Sequence, residues 1–322
     1  MGTGFADISW SFAENASVPA VFHFLLFSGD MKLAVSTVRR RFSSAVSLAF
    51  TKYGNAEATQ NKPLVIAHGL FGQKQNWNSV SKALQLRLKN QIFAVDMRNH
   101  GESPHVPTME YDEMANDLEK FIETVVLPST SGKFSSVHLL GHSMGGKAAM
   151  SLALSPKNSN LVDRLIVEDV SPNTMNKHSH SNFPHYIRVM KNADLTLSRK
   201  QIGEYLEPVV KDLATRQFLL TNLVPGDNGT RLKWKLNLDA IEDFLSHITS
   251  QTLTSGSFNG PALFQSGARS DYITPQDHPV IKNLFPGATF DVIPNAGHWV
   301  HAEQPKLFID SVVRFLEEKK EN

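Results

Sequence analysis

The stretch Gly141-His142-Ser143-Met144-Gly145 constrains this chain more than any other, because it sets a serine between two glycines directly after the apolar run Val137-His138-Leu139-Leu140. Lys147 to Leu154 follow and are good helix formers. A strand that enters a G-x-S-x-G turn and leaves it as a helix is the arrangement of a nucleophile elbow. The glycines have a steric reason. So tight a turn brings the strand and helix against the positions that flank the serine, where a side chain would collide with them. The serine hydroxyl is thereby lifted clear of the sheet. As an ordinary loop, the same pentapeptide would leave Ser143 as a helix N-cap, so its partners decide between the two readings.

Pro63-Leu64-Val65-Ile66-Ala67 reads as a second strand, and it runs into the glycine turn His68-Gly69-Leu70-Phe71-Gly72. In sheets built around an elbow, such a loop supplies one backbone N–H of an oxyanion hole and the residue after the serine supplies the other. Leu70 and Met144 are the expected donors, with Phe71 as the alternative from the same loop. Near the C-terminus the strand Ala288 to Ile293 leads into Pro294-Asn295-Ala296-Gly297-His298-Trp299. A histidine just past a strand end can reach the serine from above, which makes His298 the expected base. His301 is its rival, and is expected to cap or pack in the first turn of the closing helix.

Two carboxylates suit the third role. Asp169 ends the strand Arg164 to Glu168, and Asp271 follows the strand Pro261 to Gly267. Either loop lies at the carboxyl edge of the sheet, where open α/β folds gather their sites. One acid is enough to orient the imidazole and stabilise its charged form. With either, the chain order is Ser, Asp, His, as elbow folds require.

The combined motifs His68 to Gly72, Asp96-Met97-Arg98-Asn99-His100-Gly101-Glu102-Ser103-Pro104-His105, Gly141 to Lys147, Gln217-Phe218-Leu219-Leu220 and Gly297-His298-Trp299-Val300-His301-Ala302-Glu303 carry a family resemblance. From about Pro63 to Phe315 the chain resembles the α/β-hydrolase superfamily. Within that superfamily it looks like the group of α/β-hydrolase domain-containing protein 11 and the bacterial YbfF-type esterases. The resemblance implies a serine esterase or thioesterase with a helical lid. It also implies an acid after the sixth strand, which favours Asp169. The aspartate at 271 occupies a slot where these relatives often have none, and it keeps the second acid open.

Composition agrees with an enzyme. A single sheet domain with an inserted lid accounts for 322 residues. The 32 basic and 31 acidic side chains sum to a formal charge of +1, which argues against a general nucleic-acid binder. The absence of cysteine excludes a disulfide framework, a thiolate nucleophile and cysteine-ligated zinc. There is no internal repeat and no dinucleotide fingerprint, so no cofactor is indicated.

The first residues follow another logic. Met31 to Ala56 contains Lys32, Arg39, Arg40, Arg41 and Lys52, no acidic residue, and many Ser, Val and Ala. Those are features of an organellar transit peptide. Arg41-Phe42-Ser43-Ser44 resembles a mitochondrial processing site with cleavage after Phe42. Met1 to Asp30 has Asp7, Glu14 and Asp30 but no Lys or Arg, which initiation at Met31 would reconcile. Mitochondrial localisation is expected, with cytoplasm or plastid as alternatives. The apolar run Val18 to Phe27 is too short to span a membrane.

Strands alternate with helical segments from Leu48 to Val170, including the strand Gln91 to Asp96 and the helix Tyr111 to Val126, as in a mostly parallel sheet wrapped by helices. Arg98 and His100 are expected to stiffen their loop by hydrogen bonding. Between Ser171 and Ser257 the alternation stops. Ser198 to Leu213 and Asn237 to Ile248 read as helices, the second capped by Asn237, with Leu236 as a staple before it. Arg231 to Lys235 reads as a short exposed ribbon. His178, His180 and His185 have weak metal-like spacing and are expected to be solvated.

The expected organisation is therefore an N-terminal extension over 1–47, an α/β-hydrolase core over 48–170 and 258–317, and a helical lid over 171–257. The expected chemistry is hydrolysis of a small-molecule ester or thioester through an acyl-enzyme on Ser143. The alternatives are an acyltransferase using the same serine, and a non-turnover ligand receptor or protein-binding module on the same fold.

Overall fold

Alternation of side chains between the two faces of the central strands sorts the core into two layers. In β2 (Leu64–Ala67), Leu64 and Ile66 pack on one face of the sheet while Val65 and Ala67 pack on the other. In β3 (Ile92–Val95), Ile92 and Ala94 join the first layer and Phe93 and Val95 the second. A strand with both faces covered is apolar along its length, which explains the unbroken runs of β2 and β3 that lead into the loops beginning at His68 and Asp96. The computed structural model describes residues 45–55, 61–158, 160–173, 181–226 and 229–318. The run Val18 to Phe27, the basic segment from Met31 as far as Ser44 with its processing point after Phe42, and His178 and His180 lie outside them.

The seven-stranded sheet has the order β1-β3-β2-β4-β5-β8-β9. Its further members are β1 (Phe50–Tyr53), β4 (Val137–His142), β5 (Val162–Glu168), β8 (Ala262–Gly267) and β9 (Ala288–Ile293). Only β1 runs antiparallel, against β3; the remaining pairs are parallel. Helices α1 (Asn78–Leu88) and α10 (Pro305–Glu317) cover the Leu64/Ile66 face through Leu84, Phe308 and Val312. Helices α2 (Tyr111–Phe121) and α3 (Met144–Leu154) cover the other through Leu118, Ala148 and Leu152. The fold is the α/β-hydrolase fold, with a mostly parallel central sheet flanked by helices.

Between β5 and β8 the chain leaves the sheet to form α4 (Phe183–Lys191), α5 (Arg199–Leu206), α6 (Leu213–Leu220), a hairpin of β6 (Leu223–Pro225) and β7 (Leu232–Trp234), and α7 (Leu238–Ser250). Helix α7 carries the expected cap, the Asn237 side chain accepting from the Ala240 amide at 3.4 Å. The expected helix Ser198 to Leu213 is a correction. It stops at Leu206, because Pro208 brings no amide donor to continue the helical hydrogen bonds. Asp212 then caps a separate α6, accepting from Thr215 N at 2.7 Å. No helix among the described residues is long and apolar enough to cross a membrane. The closing segment is α8 (His278–Leu284), the short α9 (Val300–Glu303) and α10.

Candidate active site

Ser143 stands between β4 and α3 with φ 52° and ψ −118°, a backbone conformation that side chains other than glycine rarely adopt. Two close approaches explain the glycines beside it. A Cβ on Gly141 would lie 2.3 Å from the Gly145 carbonyl oxygen, and one on Gly145 would lie 2.4 Å from the Ala67 oxygen. The turn is anchored by Ser143 N donating to Glu168 O at 3.0 Å.

From that position Ser143 Oγ meets His298 Nε2 at 3.1 Å, and His298 Nδ1 meets Asp169 Oδ2 at 2.7 Å. A carboxylate only accepts, so Nδ1 carries the proton and Nε2 is left to accept from the serine hydroxyl. Asp169 is fully buried with φ 52°. Its Oδ1 accepts from Gly267 N at 3.2 Å and its Oδ2 from the Ser270 hydroxyl. The Tyr272 ring stacks on the imidazole, with centroids 3.9 Å apart and planes 19° from parallel. Burial, followed by the Asp169 and Asp271 charges, pushes the Tyr272 phenol above its ordinary range.

The structure thus brings Ser143, His298 and Asp169 together. Asp271 lies exposed in the loop after β8, and its neighbours Ser270 and Tyr272 reach the site in its place. Neither stands out in the sequence; the signal that marks them is their place beyond a strand end at the carboxyl edge. Phe71, the alternative oxyanion donor, gives its amide to His100 Nε2 at 3.2 Å. That corrects its candidacy, because the amide is already committed. Met144 is the first residue of α3, so its N–H has no carbonyl one turn back to donate to.

His301 is fully accounted for by packing behind the site. Its ring stacks on Trp77 at 4.1 Å, and both its amide and its Nδ1 lie 2.8 Å from Glu168 Oε1. His142 donates from Nε2 to the His298 carbonyl at 3.0 Å, which fixes the loop that carries the base. His142, Glu168 and His301 form a buried group of metal-ligand type, in which His142 Nε2 is given to the His298 carbonyl and His301 Nδ1 lies against both Glu168 oxygens. The other expected polar roles resolve as follows. Arg98 binds Asp117 at 2.6 and 2.8 Å, and exposed His185 accepts from Arg188 at 2.7 Å.

Burial holds His100, His142 and His301 at about 3 and pushes Glu168 up to about 7. These histidines take up protons only on unfolding as pH falls below their ordinary 6.5, whereas Glu168 already holds one when folded down to its ordinary 4.5. The histidine contribution is lost with acid and the smaller glutamate contribution is gained. Between those values these four groups take up a net of about two protons on unfolding, and His68, lowered by its burial, acts in the same direction, so stability should fall with acid by roughly 3 kcal/mol or more per pH unit. Denaturant titrations across this window check it. A flat stability profile would contradict neutral burial of the three rings.

A cavity of about 190 Å³ opens over Ser143, lined from the core by Leu70, Phe71, His298 and Trp299 and from the insertion by Phe183, Tyr186, Phe218 and Leu219, with no Asp, Glu, Lys or Arg among the lining residues described. Over residues 64–311 the chain matches the model of the alpha/beta hydrolase family. It belongs to the α/β-hydrolase family. Among its relatives, the sn-1-specific diacylglycerol lipase ABHD11 of Danio rerio is 40% identical over 284 residues, covering 86% of this chain and 84% of the relative. Esterase YbfF of Escherichia coli is 32% identical over 256 residues, covering 80% of this chain and 93% of the relative. A solved structure described as a marine microorganism esterase superposes with a TM-score of 0.74 at 37% identity, over 84% of this chain and all of that one. In this α/β hydrolase the insertion supplies half of the cavity wall, and the sheet supplies the polar groups on its floor.

Proposed function

We propose that the protein is a serine esterase that cleaves carboxylic esters, and thioesters by the same route, through an acyl-enzyme on Ser143. The observation that carries this reading is the hydrogen-bonded line from Ser143 through His298 to buried Asp169, at the floor of an uncharged cavity. Ser143 Oγ attacks the carbonyl carbon as His298 Nε2 takes the hydroxyl proton. The Leu70 and Met144 amides stabilise the tetrahedral oxyanion. Collapse expels the alkoxide or thiolate, which receives the proton from His298. Water then attacks the acyl group, passes a proton to His298, and releases the acid as Ser143 is restored. Sustained turnover of purified protein on an ester and thioester panel tests this. A single burst without turnover would instead favour a ligand receptor.

The cavity size narrows the substrate. At about 190 Å³ it lies below the roughly 300–1,000 Å³ of pockets that enclose drug-sized ligands, so it suits a short to medium acyl chain. Each methylene buried is worth about 0.8 kcal/mol, or roughly fourfold in kcat/KM, until the cavity is full. Along a series from acetyl to palmitoyl esters, kcat/KM should climb and then level or fall. A rise that continues to long-chain emulsified lipids, with activation at the oil–water surface, would show a lipase and refute the cavity argument.

We also propose that the segment from Met31 directs the chain to mitochondria and is removed near Phe42, on the strength of its arginines and lack of acidic residues. N-terminal mass spectrometry of protein from isolated organelles checks this. Recovery only of a cytosolic chain beginning at Met1 or Gly2 would refute it.

A further inference from the structure

Phe71 is buried and holds a left-handed backbone, φ 62°, that costs any side chain with a Cβ. Its neighbours hold it there from two sides. Its amide donates to His100 Nε2 at 3.2 Å, and its carbonyl accepts from Asn222 Nδ2 at 2.8 Å. His100 belongs to the loop after β3. Its Nδ1 donates to the Arg98 carbonyl at 2.9 Å, which leaves Nε2 as the acceptor, and burial keeps the ring neutral. Asn222 belongs to the insertion, between α6 and β6, and is fully buried.

The orientation of the Asn222 amide is set by its partners. Nδ2 faces two carbonyls, those of Phe71 and, at 3.3 Å, Leu219, while the backbone carbonyl of Asn222 separately accepts from Lys235 N at 2.9 Å. Its Oδ1 is buried with no hydrogen-bond partner, so the amide is retained although half of it is unsatisfied. A second tie runs alongside, from Gln73 Nε2 to the carbonyl and hydroxyl of Thr221 at 3.0 and 3.2 Å. The insertion therefore grips the loop that begins at His68 beyond the Leu70 amide, and Gly72 N closes the turn onto Gly69 O at 3.0 Å.

We propose that Asn222 is a positioning residue for the oxyanion hole: working against His100, it fixes Phe71 and so aims the Leu70 amide, making the hole complete only when the insertion is seated. The inference rests on the esterase reading and on Leu70 as a donor. Releasing Phe71 at its carbonyl removes one of the two side-chain ties on this residue, leaving His100 to hold its amide alone, and loosens the loop that carries the Leu70 amide. The loss then falls on the step in which the oxyanion forms, and substrate binding in the cavity is little changed.

The test uses Asn222→Ala and the near-isosteric Asn222→Leu, which keeps the bulk and removes the donor, with circular dichroism and Tm to establish folding. Asn222→Ser carries the test if neither folds. Removing an oxyanion donor outright costs about 10²–10³-fold in kcat, and misaiming one should cost roughly 10–100-fold. KM should stay within about threefold, and affinity for an alkyl trifluoromethyl ketone, whose adduct carries the oxyanion, should fall in proportion to kcat/KM. Folded variants with unchanged kcat and ketone affinity, or with the loss in KM alone, would overturn the proposal. Fluorophosphonate labelling of the unsubstituted protein separates the two readings. If Ser143 fails to label, the esterase reading falls with this one; if it labels and the variants behave normally, only the positioning role falls.

Discussion

Ser143→Ala is expected to lower kcat by on the order of 10⁶ and leave the fold intact. Loss of the nucleophile in a comparable triad removes nearly all of its catalysis, because the partners act only through it. Here the partners are already aligned, with His298 Nε2 3.1 Å from the hydroxyl and Asp169 2.7 Å from Nδ1. Alanine leaves both in place with nothing to deprotonate. The residual rate should come from binding and the oxyanion donors alone. Ester hydrolysis by the purified variant, with circular dichroism as a folding control, measures the loss. Retention of most of the activity would remove Ser143 from the chemistry.

The second large effect concerns the acid. Asp169→Asn should lower kcat by about 10⁴ while Asp271→Asn changes it little. The asparagine fits the site, since that residue type tolerates the left-handed backbone found at position 169. Its amide would donate where the carboxylate accepted, so Nδ1 would lose its proton and Nε2 would hold one. An imidazole in that tautomer cannot take the serine proton. Gly267 N and the Ser270 hydroxyl would also face an altered partner. Steady-state kinetics of the two variants decide. A large loss confined to the Asp271 variant would reverse the assignment, and equal losses would mean that the two carboxylates act together.

The elbow, the base loop and the glycine loop were legible in the sequence because each is a strand end marked by glycine, and strand ends gather at one edge of a parallel sheet. The acid was harder to read for the same reason. Asp169 and Asp271 both follow strands at that edge, and β5 and β8 are adjacent, with Asp169 N donating to Gln265 O at 2.8 Å. No local pattern tells which carboxylate turns inward when the two loops interlock, as they do through Ser270. His301 was legible only as a candidate and Glu168 only as a strand end, since their mutual contact spans 133 residues. The insertion was recognised by the loss of strand alternation. Its break at Pro208 and its hold on Phe71 depend on a single imide and on one buried amide, neither of which alters a hydrophobic period.

The most direct test is to treat the purified protein with a fluorophosphonate and locate the adduct by peptide mass spectrometry. Only a serine with a base to deprotonate it and donors to hold the developing oxyanion should react at an appreciable rate. A single adduct on the peptide that carries Ser143, absent after Ser143→Ala, is the expected result. Labelling at another residue, or labelling and hydrolysis that persist in the alanine variant, would contradict the account.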